Sequence, residues 1–108
     1  PFMVYRNLDL LDVHPIQSVI KVDDTLSGVG EALEAGCWAV GIARYSNYMD
    51  INSLEEADAM DPADYQIRLE KSRQILRSSG AHYVIDELPE MLDVIADVNR
   101  RLANGERP

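Results

Sequence analysis

The sequence predicts an α/β fold with a short parallel sheet of about three strands flanked by helices. Three apolar runs, at residues 18–22, 37–43 and 82–85, have the length of buried strands. Amphipathic helix patterns separate these runs along the chain, and this alternation is typical of parallel strands joined by helical crossovers. We therefore expect the three strands to lie in sequence order within one sheet.

Length, charge and cysteine content limit the class of protein. The 108 residues suffice for one domain with a small core, so we expect a single domain over residues 1–108. A net charge of -9 argues against nucleic acid or an anionic membrane as a partner, because both require a concentrated basic surface. Cys37 is the only cysteine, and no apolar run approaches the roughly 20 residues of a membrane span. Without a signal-peptide pattern, the expected location is cytoplasmic.

The first half of the chain contains two helices and two strands. Residues 2–12 have the amphipathic spacing of a helix whose inner face includes Val4, Leu8 and Leu11. The run at 18–22 is apolar enough for a strand covered on both faces. A helix over residues 27–35 follows, with Gly36 just beyond its end, and residues 37–43 form the second strand.

The second half adds a strand and three helices. Ser53 and Glu56 have the spacing of a capping box before a short helix, and Asp61 with Pro62 opens a longer helix to about residue 79. The mixed charges of that helix predict a solvated face, and Gly80 ends it. The strand at 82–85 leads to a last helix, whose expected inner residues are Leu88, Met91, Leu92, Ile95, Val98 and Leu102.

Two adjacent acids, Asp23 and Asp24, follow the first strand and predict a ligand site. In open α/β sheets, ligands bind at the carboxyl ends of the strands. Paired carboxylates attract a cation, and Mg²⁺ is typically held by one or two carboxylates together with water and phosphate. The next helix directs its N-terminal amides to the same crevice, which suits an anion. The alternative is that Asp24 or Ser27 only caps this helix.

Three further residues are candidates to bind phosphate or to support the acids. Lys21 lies in the first strand and could reach a phosphate at its end, although reaching solvent or pairing with an acid is the more common role of such a lysine. Thr25 directly follows the acids. Arg44 begins the loop of residues 44–52, which borders the crevice. We expect Cys37 to be a small buried core residue, His82 to be packed or hydrogen-bonded, and His14 to be solvated.

Several sequence blocks carry a resemblance to a known family. They are PFMVYRN at 1–7, VHP at 13–15, IKVDDT at 20–25, EAGCWAVG at 34–41, SGAHYVID at 79–86 and RLANGERP at 101–108. Together they span nearly the whole chain, which resembles the C-terminal core portion of the phosphonoacetaldehyde hydrolase (phosphonatase) family in the haloacid dehalogenase superfamily. The resemblance implies the second half of a Rossmann-like, three-layer core.

The resemblance also implies roles for individual residues. Asp24 corresponds to the Mg²⁺ ligand of the fourth superfamily motif, with Asp23 as a ligand or a support, whereas Gly28 stands where some relatives carry another acid. The nucleophilic Asp, the Lys that forms a Schiff base with the aldehyde, and the cap domain would all lie upstream of Pro1. We therefore expect a part of an enzyme, which acts on a phosphonate or phosphate substrate only within the complete protein.

The implied strand order leaves the strand that ends at Asp24 at an open edge of the sheet. We expect an N-terminal half or self-association to cover it. One alternative function is a non-catalytic binding module. Another is a receiver-like phosphoacceptor domain, which KVDDT resembles, but such domains carry a further Asp at the end of a central strand and a later Lys, and the sequence shows neither. The only other lysine, Lys71, falls in a predicted helix.

Overall fold

The computed structural model describes all residues, 1–108. Its strands are β1 (Ile20–Asp23), β2 (Trp38–Ile42) and β3 (Tyr83–Ile85). Its helices are α1 (Phe2–Leu11), α2 (Leu26–Ala35), α3 (Leu54–Ala59), α4 (Pro62–Ser78) and α5 (Met91–Ala103). Short 3-10 helices at Ile16–Ser18, Asn47–Met49 and Leu88–Glu90 lie in the connections. None of the helices has the length and apolar character needed to span a membrane. The predicted α/β class is confirmed.

The strands form one parallel sheet in the order β1-β2-β3, which confirms the predicted sequence-neighbour order. Val22 is paired with Val40, and Ile42 with Ile85. Because all three strands run in the same direction, their carboxyl ends meet at one edge of the sheet. The segments that follow the strands therefore meet at this edge, which we call the C-terminal edge.

The side chains of β2 alternate between two hydrophobic clusters, so the fold has three layers. On one face, Ala39 contacts a cluster that includes Leu69 of α4 and residues of α2. On the other face, Trp38 and Val40 pack against α5 through Val98. All five residues of β2 are buried, as expected for the central strand of a parallel sheet.

The first strand is less covered than the sequence predicts. The prediction of residues 18–22 is shifted, because Ser18 lies in a 3-10 turn and the strand is Ile20–Asp23. The expectation that both faces are covered is also wrong, since every residue of β1 is only partly buried. The reason is geometric: β1 has one neighbouring strand, and Ile20 and Val22 lie at the rim of the cluster under α5.

The inner faces of the two terminal helices are narrower than predicted. In α5, Val94 and Val98 are buried and Met91 and Leu102 pack beside them, because the helix contacts the sheet along one stripe. The prediction that Leu88, Leu92 and Ile95 face inward is wrong, because their exposed fractions are 60%, 76% and 43%. In α1, Val4 and Leu8 pack inward, but Leu11 is 69% exposed because α2 is the main neighbour of this helix.

Helix boundaries agree with the predicted capping chemistry. Gly36 and Gly80 adopt left-handed φ angles of 87° and 86° after α2 and α4, a conformation that favours glycine. The Ser53 hydroxyl accepts the Glu56 N–H at 3.0 Å at the start of α3, and the Asp61 carboxylate accepts the Ala63 N–H at 3.3 Å at the start of α4. The predicted capping box is only half formed, because the Glu56 carboxylate accepts the N–H of Asn52 and not that of Ser53.

Candidate functional site at the C-terminal edge of the sheet

Both oxygens of the Asp23 carboxylate accept hydrogen bonds from residues close to it in the sequence. Its Oδ2 accepts the Lys21 ammonium at 3.0 Å, and its Oδ1 accepts the Thr25 N–H and hydroxyl at 3.0 and 2.9 Å. Partial burial alone would raise the pKa of Asp23, but the hydrogen bonds from Lys21 and Thr25 outweigh it and hold the pKa below its ordinary value. Asp23 is therefore a charged, structurally fixed group.

Lys21 and Thr25 connect this carboxylate to the first turn of α2. The Lys21 ammonium also donates to the Gly28 carbonyl oxygen at 2.8 Å. The Thr25 hydroxyl accepts the Gly28 N–H at 3.0 Å, which makes Thr25 the N-cap of α2. Neither Asp24 nor Ser27 serves as this cap, because α2 begins at Leu26, one residue before the predicted start.

Gly28 provides the space that the Asp23 carboxylate occupies. A Cβ atom on residue 28 would lie 1.9 Å from Asp23 Cγ and 2.0 Å from Asp23 Oδ2. Any side chain here, including the acid that the resemblance associates with some relatives, would have to displace the Asp23 carboxylate. The glycine and the Asp23 arrangement are thus one structural unit.

Asp24 differs from its neighbour because no hydrogen bond or ion pair engages its carboxylate. Its backbone carbonyl accepts the Ser46 hydroxyl at 2.7 Å, but the side chain has no protein partner and is only partly buried. The two adjacent acids therefore have separate roles in the structure: Asp23 is bound to the protein, and Asp24 is available to a ligand.

The other acids of this edge are neutralised by arginines. Arg73 of α4 donates two hydrogen bonds to the carboxylate of Asp86, the residue after β3, at 2.8 and 2.6 Å. Arg44, the second residue after β2, forms an ion pair with Glu87. The bond from Arg73 to Asp86 corrects the prediction that the charged face of α4 is only solvated. Of the four carboxylates that end or follow β1 and β3, only that of Asp24 lacks a basic partner.

Arg44 contacts residues of β3's end and of α4 and forms no hydrogen bond or ion pair with Asp23 or Asp24. Its guanidinium lies 5.8 Å from the centre of the Tyr65 ring. Burial alone would lower the pKa of Arg44, but Tyr65 and Glu87 outweigh it and raise the pKa further. Cavities of about 260 and 420 Å³ lie beside Arg44 and α3, and neither is lined by Asp23 or Asp24.

Comparison with known proteins shows which proteins the chain is similar to. No family model matches the chain. The whole chain aligns with the phosphonoacetaldehyde hydrolase of Klebsiella pneumoniae at 42% identity, and covers 40% of that protein. It aligns with the phosphonoacetaldehyde hydrolase of Aeromonas hydrophila at 44% identity, again over the whole chain, and covers 38% of that protein. The chain matches a part of the phosphonoacetaldehyde hydrolases.

A solved structure supports the same relation. The crystal structure of a phosphonoacetaldehyde hydrolase-like protein from Oleispira antarctica superimposes on the whole chain with a TM-score of 0.92 at 41% identity, and the chain covers 39% of it. The resemblance to these hydrolases that the sequence predicts is thereby confirmed. The chain spans about 40% of the length of the curated relatives it matches, which is consistent with a C-terminal portion.

Sequence reasoning missed two residues that contact the segment around Asp24. The Ser46 hydroxyl donates to the Asp24 carbonyl oxygen, and the Tyr48 hydroxyl oxygen accepts the Leu26 N–H at 2.9 Å. Both lie in the loop of residues 44–52, in which the sequence marked Arg44 as a candidate. No local pattern marks them, because each contact spans 22 residues of chain.

The two histidines and the single cysteine are packed, hydrogen-bonded or solvated, as the sequence predicts. His82 Nδ1 accepts the Ala39 N–H at 2.9 Å, and its ring meets Trp38 edge-on at 5.0 Å. Cys37 is buried, and burial raises the pKa of its thiol. The side chain of His14 is 82% exposed. None of them belongs to the site.

Proposed function

We propose that this chain supplies a magnesium-binding carboxylate to the catalytic site of a phosphonoacetaldehyde hydrolase. Asp24 is the ligand, and Asp23 is its support. The observation that carries the proposal is the pairing pattern at the C-terminal edge, where Asp24 alone among four carboxylates has no basic partner. The 42% identity to the Klebsiella pneumoniae phosphonoacetaldehyde hydrolase supports the substrate class.

The residues at this edge fit Mg²⁺ as one part of a ligand set. Mg²⁺ uses one or two protein carboxylates and takes its other ligands from water and substrate phosphate. The chain offers one unengaged carboxylate there, and no group of three or more His, Cys, Asp or Glu side chains could hold a metal ion alone. When bound, the ion would offset negative charge on the phosphoryl oxygens during carbon–phosphorus bond hydrolysis to acetaldehyde and phosphate.

The neighbouring residues receive supporting roles in this proposal. Lys21 and Thr25 hold Asp23, so we assign them to the support of the Asp24 turn and not to a direct phosphate contact. Arg44 borders the edge but is neutralised by Glu87, so we assign it to the stability of the loop after β2. Substrate phosphate would meet the Asp24 side of the edge, close to the N-terminus of α2.

The nucleophilic Asp and the imine-forming Lys that the resemblance implies are assigned to the part of such an enzyme that this chain does not match. We propose that this part also covers the outer side of β1, which has a strand neighbour only in β2. The exposed apolar side chains of α1, Phe2, Met3, Leu10 and Leu11, are a second contact surface for it. The isolated chain is then inactive. A cytoplasmic location is part of this proposal, because a single cysteine suits a reducing compartment.

A chimeric enzyme tests the function directly. The 108-residue segment of the Klebsiella pneumoniae hydrolase that aligns with this chain is replaced by this chain, and acetaldehyde and phosphate release from phosphonoacetaldehyde are measured. We expect magnesium-dependent turnover by the chimera, no turnover by the chain alone, and loss of turnover in the chimera with Asp24→Asn. Full activity of the Asp24→Asn chimera would contradict the proposal, and an inactive but folded chimera would favour a non-catalytic binding module.

A further inference from the structure

Two polar contacts connect the loop after β2 to the turn that carries Asp24. The Ser46 hydroxyl donates to the Asp24 carbonyl oxygen at 2.7 Å, and the Tyr48 hydroxyl oxygen accepts the Leu26 N–H at 2.9 Å. They hold the backbone on either side of Thr25, directly next to the unpaired carboxylate. We call this pair of contacts the loop clamp.

The geometry of the loop clamp is constrained at Ser46. A serine hydroxyl has one proton to donate, and here its oxygen also accepts the Tyr48 N–H at 3.2 Å, so the proton is directed to the Asp24 carbonyl. Ser46 is 4% exposed, so water does not readily replace this bond. The neighbouring Met49 is 1% exposed and anchors the loop in the core.

The contact at Tyr48 satisfies a backbone N–H of the same turn that has no partner within α2. Leu26 is the first residue of α2, and the first amides of a helix have no partner within it. Thr25 caps the Gly28 N–H, and the Tyr48 hydroxyl takes the Leu26 N–H. The turn is thus held on one side by Lys21, Asp23 and Thr25, and on the other by the loop clamp.

We propose that Ser46 and Tyr48 are positioning residues that fix the Asp24 turn for metal binding. This inference rests on the proposed function of Asp24. Neither hydroxyl contacts the Asp24 carboxylate, so both act through the backbone at Asp24 and Leu26. Groups that orient a metal ligand from outside the coordination sphere typically change metal affinity by 10–100-fold when removed. Because Ser46 and Tyr48 act one step further away, through the backbone, we expect a loss of roughly tenfold from either hydroxyl.

The test uses substitutions that delete only the hydroxyl groups, Ser46→Ala and Tyr48→Phe. Ser72→Ala is the matched control, because Ser72 is 0% exposed and donates at 2.8 Å to the Ala43 carbonyl without touching residues 24–26. Mg²⁺ affinity is measured by calorimetry on the chimeric enzyme described above, which supplies the remaining ligands, and the free energy of unfolding is measured on the chain. The Asp24 carboxyl carbon and the amides of residues 24–26 are followed by NMR without metal.

We expect Ser46→Ala and Tyr48→Phe to weaken Mg²⁺ binding roughly tenfold and to shift the Asp24 resonances. Ser72→Ala should change stability to a similar degree but leave both readouts unchanged. Wild-type affinity in Ser46→Ala and Tyr48→Phe would refute the loop clamp while leaving the proposed function intact. Failure of the unsubstituted, folded chimera to bind Mg²⁺ would refute both the function of Asp24 and this inference. An equal loss of affinity in Ser72→Ala would also refute it, because the effect would then follow stability alone.

Discussion

The Asp23 carboxylate occupies the volume that a side chain on Gly28 would need, with Asp23 Cγ only 1.9 Å from the position of a Cβ atom there. The glycine is seven residues before the end of α2, where an alanine would otherwise favour the helix. Its place in the first helical turn is explained by the carboxylate beside it. This relation connects the strand end, the helix start and the free carboxylate of Asp24 in one unit.

Gly28→Ala should therefore destabilise the chain despite the higher helix propensity of alanine. The methyl group would push the Asp23 carboxylate away from Lys21 and Thr25, and we expect a net loss of about 1–2 kcal/mol in the free energy of unfolding. Denaturant unfolding at neutral pH measures the loss. The control is Gly30→Ala in the same helix, where nothing lies within 4 Å of the added atom. It should stabilise by about 0.5–1 kcal/mol, and an equal gain in Gly28→Ala would contradict the account.

Lys21→Met tests whether the ammonium group holds the turn. The change leaves the partly buried Asp23 carboxylate and the Gly28 carbonyl without their shared donor, so we expect a loss of about 1–3 kcal/mol. Thermal and denaturant unfolding provide the measurement. The matched control is Lys71→Met, the same substitution at the exposed lysine of α4. It should change stability by no more than about 0.5 kcal/mol, and equal effects at the two lysines would refute the assigned role.

His82 should make stability depend on pH near neutrality. Burial and the nearby Arg101 guanidinium lower the pKa of His82 from its ordinary value of 6.5, and its Nδ1 must stay unprotonated to accept the Ala39 N–H. A group with a lowered folded pKa binds its proton more readily in the unfolded chain. The stabilisation that depends on unprotonated His82 is therefore fully present above pH 6.5, and it is lost as the pH falls through the lowered folded pKa.

The free energy of unfolding across this range tests the effect of His82. His82→Asn retains an acceptor oxygen in place of Nδ1. It should reduce the slope of the free energy of unfolding against pH between about pH 7 and pH 5. His14→Asn removes an exposed histidine and should leave the slope unchanged. A slope that persists in His82→Asn would assign the titration to another group.

The ion pair between Asp86 and Arg73 should act at lower pH. Hydrogen bonds from Arg73 outweigh burial and lower the pKa of Asp86 from its ordinary value of 3.8. The stabilisation is present above pH 3.8 and is lost as the pH falls further through the folded pKa. Asp86→Asn should cost about 2 kcal/mol near neutrality and flatten the acid limb of the stability curve. Glu70→Gln, at the more exposed partner of Arg73, should change stability far less.

Much of the fold follows from the sequence because its signals are local. The apolar runs, the capping residues Asp61 and Ser53 and the glycines at positions 36 and 80 mark the elements and their ends. Burial was harder to predict. Leu92 and Ile95 are apolar but exposed, and β1 is only half covered, because burial depends on which neighbouring elements are present. Sequence spacing does not contain that information.

The sequence marks Asp23 and Asp24 as candidate ligands but does not show their different contacts. Asp23 and Asp24 are equivalent by residue type, and only the structure separates them, through the contacts of Lys21 and Thr25 with Asp23. Ser46 and Tyr48 could not be found from the sequence because their contacts span 22 residues. Local patterns identify candidate ligands, whereas the side-chain contacts formed in the folded chain decide which of them is free.

The most direct test of the central claim is a Mg²⁺ titration of the chimeric enzyme by calorimetry, with amide NMR to locate the binding. Asp24→Asn removes the free carboxylate, and Asp50→Asn makes the same change of charge at an exposed residue in the loop before α3. We predict saturable binding to the unsubstituted chimera and to its Asp50→Asn variant, with the largest shifts at residues 23–28, and no binding to the Asp24→Asn chimera. Unchanged binding in the Asp24→Asn chimera, or no binding by the unsubstituted folded chimera, would contradict the assignment of Asp24 as the magnesium ligand.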